Sequence, residues 1–277
     1  MSERTKVFWH AAFYEALQLE FHLYQDYLEF ESEIQLSKEA LKMDVLIIKK
    51  QPGKRIDKNI GKIFRTHNVF EFKSETDSLS EQDYNKVCAY ALLYSSFTPA
   101  PVSEITVSFA VTAHPRELIK YLKNEREFTV WTAEPGIYYV EGDTFPVQIL
   151  ENKLLSPDEN LFLRNLRSNL SVEDAAKTTE AYKDLKLFEK KNVYLDRLMQ
   201  ANQDAFEEAM SMMSDVAKEL FFKVAERDGW LTARDSFRDI ENAKTIARKM
   251  LIIGRPIEEV AEVTELPYET VTALKQQ

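Results

Sequence analysis

The stretch Val69-Phe70-Glu71-Phe72-Lys73 decides the fold of this chain. Its apolar and charged residues alternate, which is the period-two pattern of a half-buried β-strand. Phe70 and Phe72 share one face of the predicted strand, and Val69, Glu71 and Lys73 share the other. The Glu71 and Lys73 side chains therefore point the same way, about 6–7 Å apart along the strand. The pair is either a salt bridge or part of an active site. In the second case Glu71 is a metal ligand and Lys73 is the cation that contacts a reacting anion.

The composition is that of an ordinary globular protein. The chain has 277 residues, of which 44% are hydrophobic and 30% are charged, enough for a full core and two domains. No apolar run approaches the ~20 residues of a membrane span, and residues 1–6 lack a signal-peptide pattern, so we expect a cytoplasmic protein with no membrane partner. Cys88 is the one cysteine, which excludes an internal disulfide. The net charge of −10 argues against nonspecific coating of nucleic acid but allows a local basic groove.

Residues 7–28 are predicted to form a helix with an acid on its apolar side. Glu20 falls on the apolar stripe, and Glu15 lies on a neighbouring stripe. Each is either a carboxylate at the rim of the buried face or the helix acid of an active site. The stripe consists of Trp9, Phe13, Ala16, Glu20 and Leu23.

Residues 29–48 are predicted to form a hairpin, and Asp44 interrupts its second, apolar arm. A continuous apolar run is typical of a buried strand. An ionised carboxylate in such a strand costs several kcal/mol unless it is paired or binds a metal. We therefore interpret Asp44 as a functional residue.

Residues 49–65 concentrate positive charge between the Asp44 strand and the Glu71 strand. Pro52-Gly53 marks a turn. The segment is either a solvated loop or, as we expect, a loop that is mobile without DNA and contacts its phosphates. Its bases are Lys49, Lys50, Lys54, Arg55, Lys58, Lys62 and Arg65, against a single acid, Asp57.

The rest of the chain changes from mixed to helical near residue 155. Ser80 and Asp83 predict a capping box at the start of a helix over 81–95, and His114-Pro115 opens another helix to about residue 123. Further strands are predicted at 105–111, 128–131, 137–140 and 147–150.

We expect two regions: an α/β domain over 1–155 with a mixed sheet flanked by helices, and an all-helical region over 156–277. Residues 174–228 contain neither Gly nor Pro, and apolar residues occupy several helical faces after residue 170. The region is therefore predicted to be a separate unit that mediates homodimerisation. Residues 254–277 are predicted to be a helix-turn-helix-like tail, more suited to packing than to reading DNA.

The order of a helix with an acid, a strand with Asp44, a strand with Glu71-x-Lys73 and a further helix resembles the PD-(D/E)XK nuclease superfamily, with its restriction-endonuclease-like fold. The runs DVLIIKK, NIGKIFRTHNVFEFKS and DYNKVCAYALLY resemble one branch more closely: the PD-(D/E)XK family transposases, or Rpn-like recombination-promoting nucleases. The resemblance covers about residues 7–150 and the last 35 residues. It implies a metal-dependent DNA endonuclease that hydrolyses phosphodiesters with Mg²⁺ or Mn²⁺.

The resemblance also implies roles for individual residues. Asp44, Glu71 and the Phe72 carbonyl would hold the metal, and Lys73 would orient or deprotonate the attacking water. Glu20 would complete the shell. DNA phosphates would contact the basic loop and the helix that follows the Glu71 strand, through Lys49, Lys50, Lys54, Arg55, Lys58, Lys62, Tyr84 and Lys86.

Two features depart from the family pattern. Met43 precedes Asp44 where the family has proline, and 27 residues separate Asp44 from Glu71, so the basic segment is an insertion. The alternative is a catalytically inactive nuclease fold that binds nucleic acid or a protein partner through the same surface.

Overall fold

A computed structural model describes residues 9–31, 34–35, 42–43, 46–185, 193–218, 221–222 and 243–275. The chain divides into two compact units, Met1–Met212 and Met213–Gln277. Asp44 lies outside the described residues, so its predicted position on a buried strand stays a prediction.

A mixed sheet of seven strands forms the centre of the first unit. Its order is β1-β4-β5-β6-β9-β8-β7, with β5, β6 and β9 mutually parallel and the other neighbours antiparallel. A short pair, β2 with β3, continues the predicted hairpin. The strands are β1 Leu28–Glu31, β2 Ile34–Gln35, β3 Lys42–Met43, β4 Leu46–Lys50, β5 His67–Lys73, β6 Ile105–Val111, β7 Thr129–Glu134, β8 Ile137–Glu141 and β9 Val147–Glu151.

Helices flank this sheet and continue beyond it, which confirms the expected mixed sheet flanked by helices with further helices towards the C-terminus. In the first unit they are α1 His10–Glu20, α2 Glu81–Phe97, α3 Arg116–Asn124, α4 Leu161–Arg164, α5 Val172–Asp184, α6 Val193–Ala201 and α7 Gln203–Ala209.

The alternation along β5 determines which helix covers which face of the sheet. Phe13 of α1 stacks on Phe72, with ring centroids 4.9 Å apart, and also contacts Phe70. The opposite face carries Val69, which packs with Val87 and other apolar residues of α2 in one buried cluster. Glu71 and Lys73 therefore belong to the α2 face, as the period of two requires.

The predicted capping box starts α2. The Ser80 hydroxyl accepts from the Asp83 backbone N–H, and the Asp83 carboxylate accepts from the Ser80 backbone N–H. These bonds satisfy two N–H groups that would otherwise lack partners at the helix start. They also fix the Asp83 side chain close to the end of β5.

The first unit extends past the predicted boundary at residue 155, because α1 binds the later helices. Glu15 accepts hydrogen bonds from the Tyr182 hydroxyl at 2.7 Å and from the Tyr194 backbone N–H at 2.6 Å. Burial raises the pKa of Glu15, and these two bonds oppose the rise. The helices α5 to α7, which the sequence pattern assigns to a separate helical unit from residue 170, lie in the first unit.

Glu20 forms a second buried connection from α1. Its carboxylate lies 2.8 Å from the Lys58 ammonium and accepts from the Leu163 backbone N–H at 2.7 Å. The exposed fractions are 2% for the Glu20 side chain and 13% for the Lys58 side chain. Burial raises the pKa of Glu20, while the charge of Lys58 and hydrogen bonds from the α4 backbone oppose that rise. Glu20 therefore joins α1, the basic segment and α4.

The second unit contains the predicted helix, short turn and helix. Residues 243–252 are helical, α8 spans Ile257–Thr264 and α9 spans Tyr268–Lys275. Glu265 takes the left-handed conformation that ends α8. A small core of Ala247, Val260, Leu266 and Val271 joins the three segments.

We predict that Glu20→Ala lowers the free energy of unfolding by about 3 kcal/mol, because the variant leaves the Lys58 ammonium buried without its partner. Urea denaturation measures this loss. Lys120→Ala, at an exposed position of α3, is the control and should change stability by less than about 0.5 kcal/mol. A second variant, Glu20→Gln with Lys58→Met, should recover part of the loss. A loss below about 1 kcal/mol for Glu20→Ala would contradict a structural role for this pair.

Candidate active site

Three parallel strands end side by side at one edge of the sheet. Lys73 pairs with Val111, and Val111 pairs with Glu151, so the last residues of β5, β6 and β9 form one row. Residues paired across neighbouring strands share a face, which is here the α2 face. Carboxyl ends of parallel strands are where open α/β sheets bind ligands. We therefore expect a functional site at this row of strand ends.

Lys73 lies at the centre of an ion cluster. Its ammonium is 2.8 Å from Asp83 Oδ1, 3.1 Å from Asp77 Oδ2 and 3.7 Å from Glu71 Oε1. Only 10% of the Lys73 side chain is exposed. The predicted neighbours Glu71 and Lys73 thus meet as an ion pair, and two further carboxylates share the same cation.

The cluster fixes the charge state of Lys73. Burial acts to lower the pKa of Lys73, but hydrogen bonds with Asp83 and Asp77 and the charge of Glu71 outweigh it and raise the pKa. Burial likewise acts to raise the pKa of Asp83, and hydrogen bonds from Lys73 and Ser80 outweigh it, so that the pKa falls. These contacts favour the protonated form of Lys73.

The chemistry of the donor set fits a hard cation. The carboxylates of Glu71, Asp77 and Asp83 lie within 4 Å of one ammonium. The Thr112 hydroxyl, directly after β6, is buried and has no hydrogen-bond partner within the described ranges, although the Thr112 N–H donates to the Lys73 carbonyl. Carboxylate, hydroxyl and carbonyl oxygens are the ligands that Mg²⁺ prefers.

The described part of the chain does not by itself complete a metal site. Among its residues, no group of three or more His, Cys, Asp or Glu side chains is arranged to hold an ion. Of the predicted ligands, Glu71 and Phe72 lie at the end of β5, and Asp44 is outside the described residues. The predicted role of Asp44 as a metal ligand therefore stays a prediction.

The structure does not bring Glu20 to this cluster. Glu20 ends α1, which covers the Phe70 and Phe72 face, whereas Glu71 points to the α2 face. Tyr84, a predicted phosphate contact, also lies elsewhere. It is fully buried against Phe109, and its hydroxyl donates to Asp143. Tyr84 therefore belongs to the core under α2 and not to an exposed surface.

The middle of the basic segment packs onto the protein, which does not fit the expected mobile loop. Asn59 and Ile60 are buried in a 3₁₀ turn, and Asn59 donates to Glu134 at 3.0 Å. Lys62 pairs with the same carboxylate at 2.7 Å. Lys58 is held by Glu20 and is only 13% exposed, whereas the Lys62 side chain remains 53% exposed.

The remaining predicted phosphate contacts differ in accessibility. Lys49 pairs with Glu31 at 2.5 Å and is partly buried. Lys50 donates to the Lys54 carbonyl, and Lys54 lies over the Tyr27 ring at 4.6 Å. Arg55 pairs with Asp57 but is 89% exposed, and Lys86 is exposed near the Tyr90 ring. Lys54, Arg55, Lys62 and Lys86 are thus the accessible cations of the predicted set.

Sequence reasoning missed a second group at the same sheet edge. Glu151, the last residue of β9, accepts from the Tyr138 hydroxyl at 3.1 Å and lies 2.8 Å from His114 Nδ1. The sequence carried two signals for it: a carboxylate at the end of an apolar strand, and a histidine directly before the helix-opening Pro115.

Comparisons of the chain with protein-family models, with curated proteins and with solved structures give no match. No helix within the described ranges is long and apolar enough to cross a membrane.

We predict that the Lys73 cluster stabilises the fold most between the ordinary pKa values of its two principal partners. Asp83 has a lowered pKa, so its contribution is present above pH 3.8 and is lost as the pH falls through its folded-state value. Lys73 has a raised pKa, so its contribution is present below pH 10.5 and is lost as the pH rises further.

Urea denaturation across pH tests this window. Asp83→Asn should cost about 2 kcal/mol at neutral pH, because it weakens both the helix cap and the bond to a charged group. That cost should shrink towards about pH 3. Glu81→Gln, exposed in the same helical turn, is the matched control with little effect. An Asp83→Asn cost that stays constant with pH would contradict the ionic account.

Proposed function

We propose that the protein is a metal-dependent DNA endonuclease with a restriction-endonuclease-like core. The observation that carries the proposal is the meeting of Glu71 and Lys73 at the carboxyl end of β5, 3.7 Å apart. The order of elements supports it, because α1 precedes three antiparallel neighbours, β1, β4 and β5, and α2 leads to the parallel strand β6. This is the arrangement that the resemblance to the PD-(D/E)XK superfamily implies.

In this proposal Asp44, Glu71 and the Phe72 carbonyl hold Mg²⁺ or Mn²⁺. When bound, the ion activates water and neutralises charge on the phosphate.

Lys73 acts as a fixed cation in this proposal. Its raised pKa keeps it protonated, so it offsets the negative charge that develops on the phosphate and orients the attacking water. Asp83 and Asp77 hold its ammonium at the sheet edge. Electrostatic stabilisation by such a preorganised group contributes roughly 10²- to 10³-fold to the rate.

The second candidate is a fold relative that binds nucleic acid or a protein partner without cutting. It is favoured by the ion pairs that already occupy Lys73, Lys58 and Lys62. Cleavage assays separate the two candidates directly.

We predict Mg²⁺- or Mn²⁺-dependent cleavage in a panel of supercoiled, linear, branched and single-stranded DNA. Lys73→Ala should lower the rate by at least about 100-fold and leave Mn²⁺ affinity intact in calorimetry, because it removes no ligand. Asp44→Asn and Glu71→Gln should lose both cleavage and metal binding. Lys177→Ala, exposed on α5, is the control. If the wild type cuts none of these substrates with either ion, the binding candidate replaces the enzyme.

We also predict that the accessible part of the basic segment contacts phosphates. Lys54→Ala with Arg55→Ala should weaken DNA binding and reduce the slope of log K against log salt by about 0.9 for each phosphate that is no longer neutralised. Lys58 is left in place because its replacement would disturb the buried pair with Glu20. Fluorescence anisotropy over a salt series measures the slope, with Lys177→Ala as the control. An unchanged slope would show that these two cations remain solvated in the complex.

A further inference from the structure

His114 is held in a defined orientation at the edge of the sheet. Its Nδ1 lies 2.8 Å from Glu151 Oε2, and the Tyr138 hydroxyl donates to the same oxygen at 3.1 Å. The exposed fraction is 35% for the His114 side chain and 4% for Glu151. The two ring nitrogens lie on opposite sides of an imidazole, so Nε2 is directed away from Glu151.

Close backbone packing fixes Glu151 itself. Its N–H donates to the Gly136 carbonyl at 2.8 Å. Gly136 has φ of +79°, and a Cβ at this position would lie 2.9 Å from the Glu151 carbonyl oxygen. Only glycine combines this conformation with this approach. A buried carboxylate without partners would cost several kcal/mol, and His114 and Tyr138 supply those partners.

The His114 group lies beside the Lys73 cluster. Lys73, Val111 and Glu151 occupy one row and one face, so the backbones of Lys73 and Glu151 are two strand spacings, about 10 Å, apart. A groove between the starts of α2 and α3 is lined by both Ser80, which caps the helix that carries Asp83, and His114. Arg116 and Lys120 line the same groove, together with the acids Glu81, Glu117 and Glu125.

We propose that His114 is the proton donor to the leaving oxygen during phosphodiester cleavage, an inference that rests on the proposed nuclease function. Water forms a bond to phosphorus and releases one proton to solvent, as the bond from phosphorus to the leaving strand oxygen breaks. The proton on His114 Nε2 passes to that oxygen, and the ring regains a proton from solvent. In this scheme Lys73 orients the attacking water and His114 protonates the leaving oxygen. An in-line displacement requires these two oxygens to lie on opposite sides of one phosphate.

Glu151 and Tyr138 are positioning residues in this scheme. The Glu151 carboxylate orients the ring and offsets its positive charge when His114 is protonated.

The test compares a natural phosphodiester with substrates in which sulfur replaces the bridging leaving-group oxygen. A thiolate leaves without protonation, so it does not need a proton donor. His114→Gln should lower cleavage of the natural DNA by about 100-fold, within the usual range for loss of a general acid. One of the two bridging isomers, 3′ or 5′, should restore His114→Gln to within a few-fold of the wild type.

Three controls make the result specific. Lys73→Ala should not be rescued by sulfur, because its defect is electrostatic and not proton donation. Glu151→Gln should show a smaller defect with the same rescue, and circular dichroism checks that this variant is folded. His10→Gln, exposed at the start of α1, should behave as the wild type does.

The outcomes separate the two claims. If the wild type cuts DNA and His114→Gln cuts natural DNA equally well, or if neither sulfur isomer rescues the variant, the role of His114 is overturned and the nuclease proposal stands. If the wild type cuts nothing, the nuclease proposal and the role of His114 both fail.

Discussion

A buried ammonium group at the end of the central strand constrains the rest of the structure. Lys73 is nearly inaccessible, and a charge in that position is tolerated only when carboxylates compensate it. Asp83 supplies the shortest contact and is itself fixed by the capping box of α2. The ion pair between Lys73 and Asp83 therefore links the start of α2 to the end of β5. This link positions the helix over the face that carries Val69, Glu71 and the apolar core.

The opposite face depends on two acids of α1, the half-buried Glu15 and the buried Glu20. Glu15 binds Tyr182 and Tyr194, and Glu20 binds Lys58 and the α4 backbone. Both carboxylates hold segments that lie far away in the sequence. The helices α4 to α7 are consequently part of the first unit, and α1 organises them. Ionic and hydrogen-bonded contacts thus fix both helical layers to a sheet whose own core is apolar.

The strand around Glu71 was predictable because alternation is a local property. The same holds for the capping box at Ser80 and for the coarse sheet with its flanking helices.

The function of Glu20 was not predictable, because an acid on an apolar stripe looks the same whether it binds a metal or a buried lysine. The packing of the basic segment was missed for a similar reason: its partners, Glu134 and Asn160, are 75 and 101 residues away from Asn59. Asp77, Asp83, His114 and Glu151 meet only through the parallel pairing of β5, β6 and β9, which no local pattern specifies.

The central claim is that the carboxyl edge of β5 is a cation-binding edge with Lys73 at its centre. Paramagnetic broadening by Mn²⁺ in protein labelled with ¹³C-lysine tests it without requiring any cleavage. The account predicts that substoichiometric Mn²⁺ broadens the side-chain signal of Lys73, assigned with Lys73→Arg, and leaves the Lys177 signal sharp. The Glu71→Gln variant should show no such selectivity. A Lys73 signal that stays as sharp as that of Lys177 at saturating Mn²⁺ would contradict a metal site at this edge.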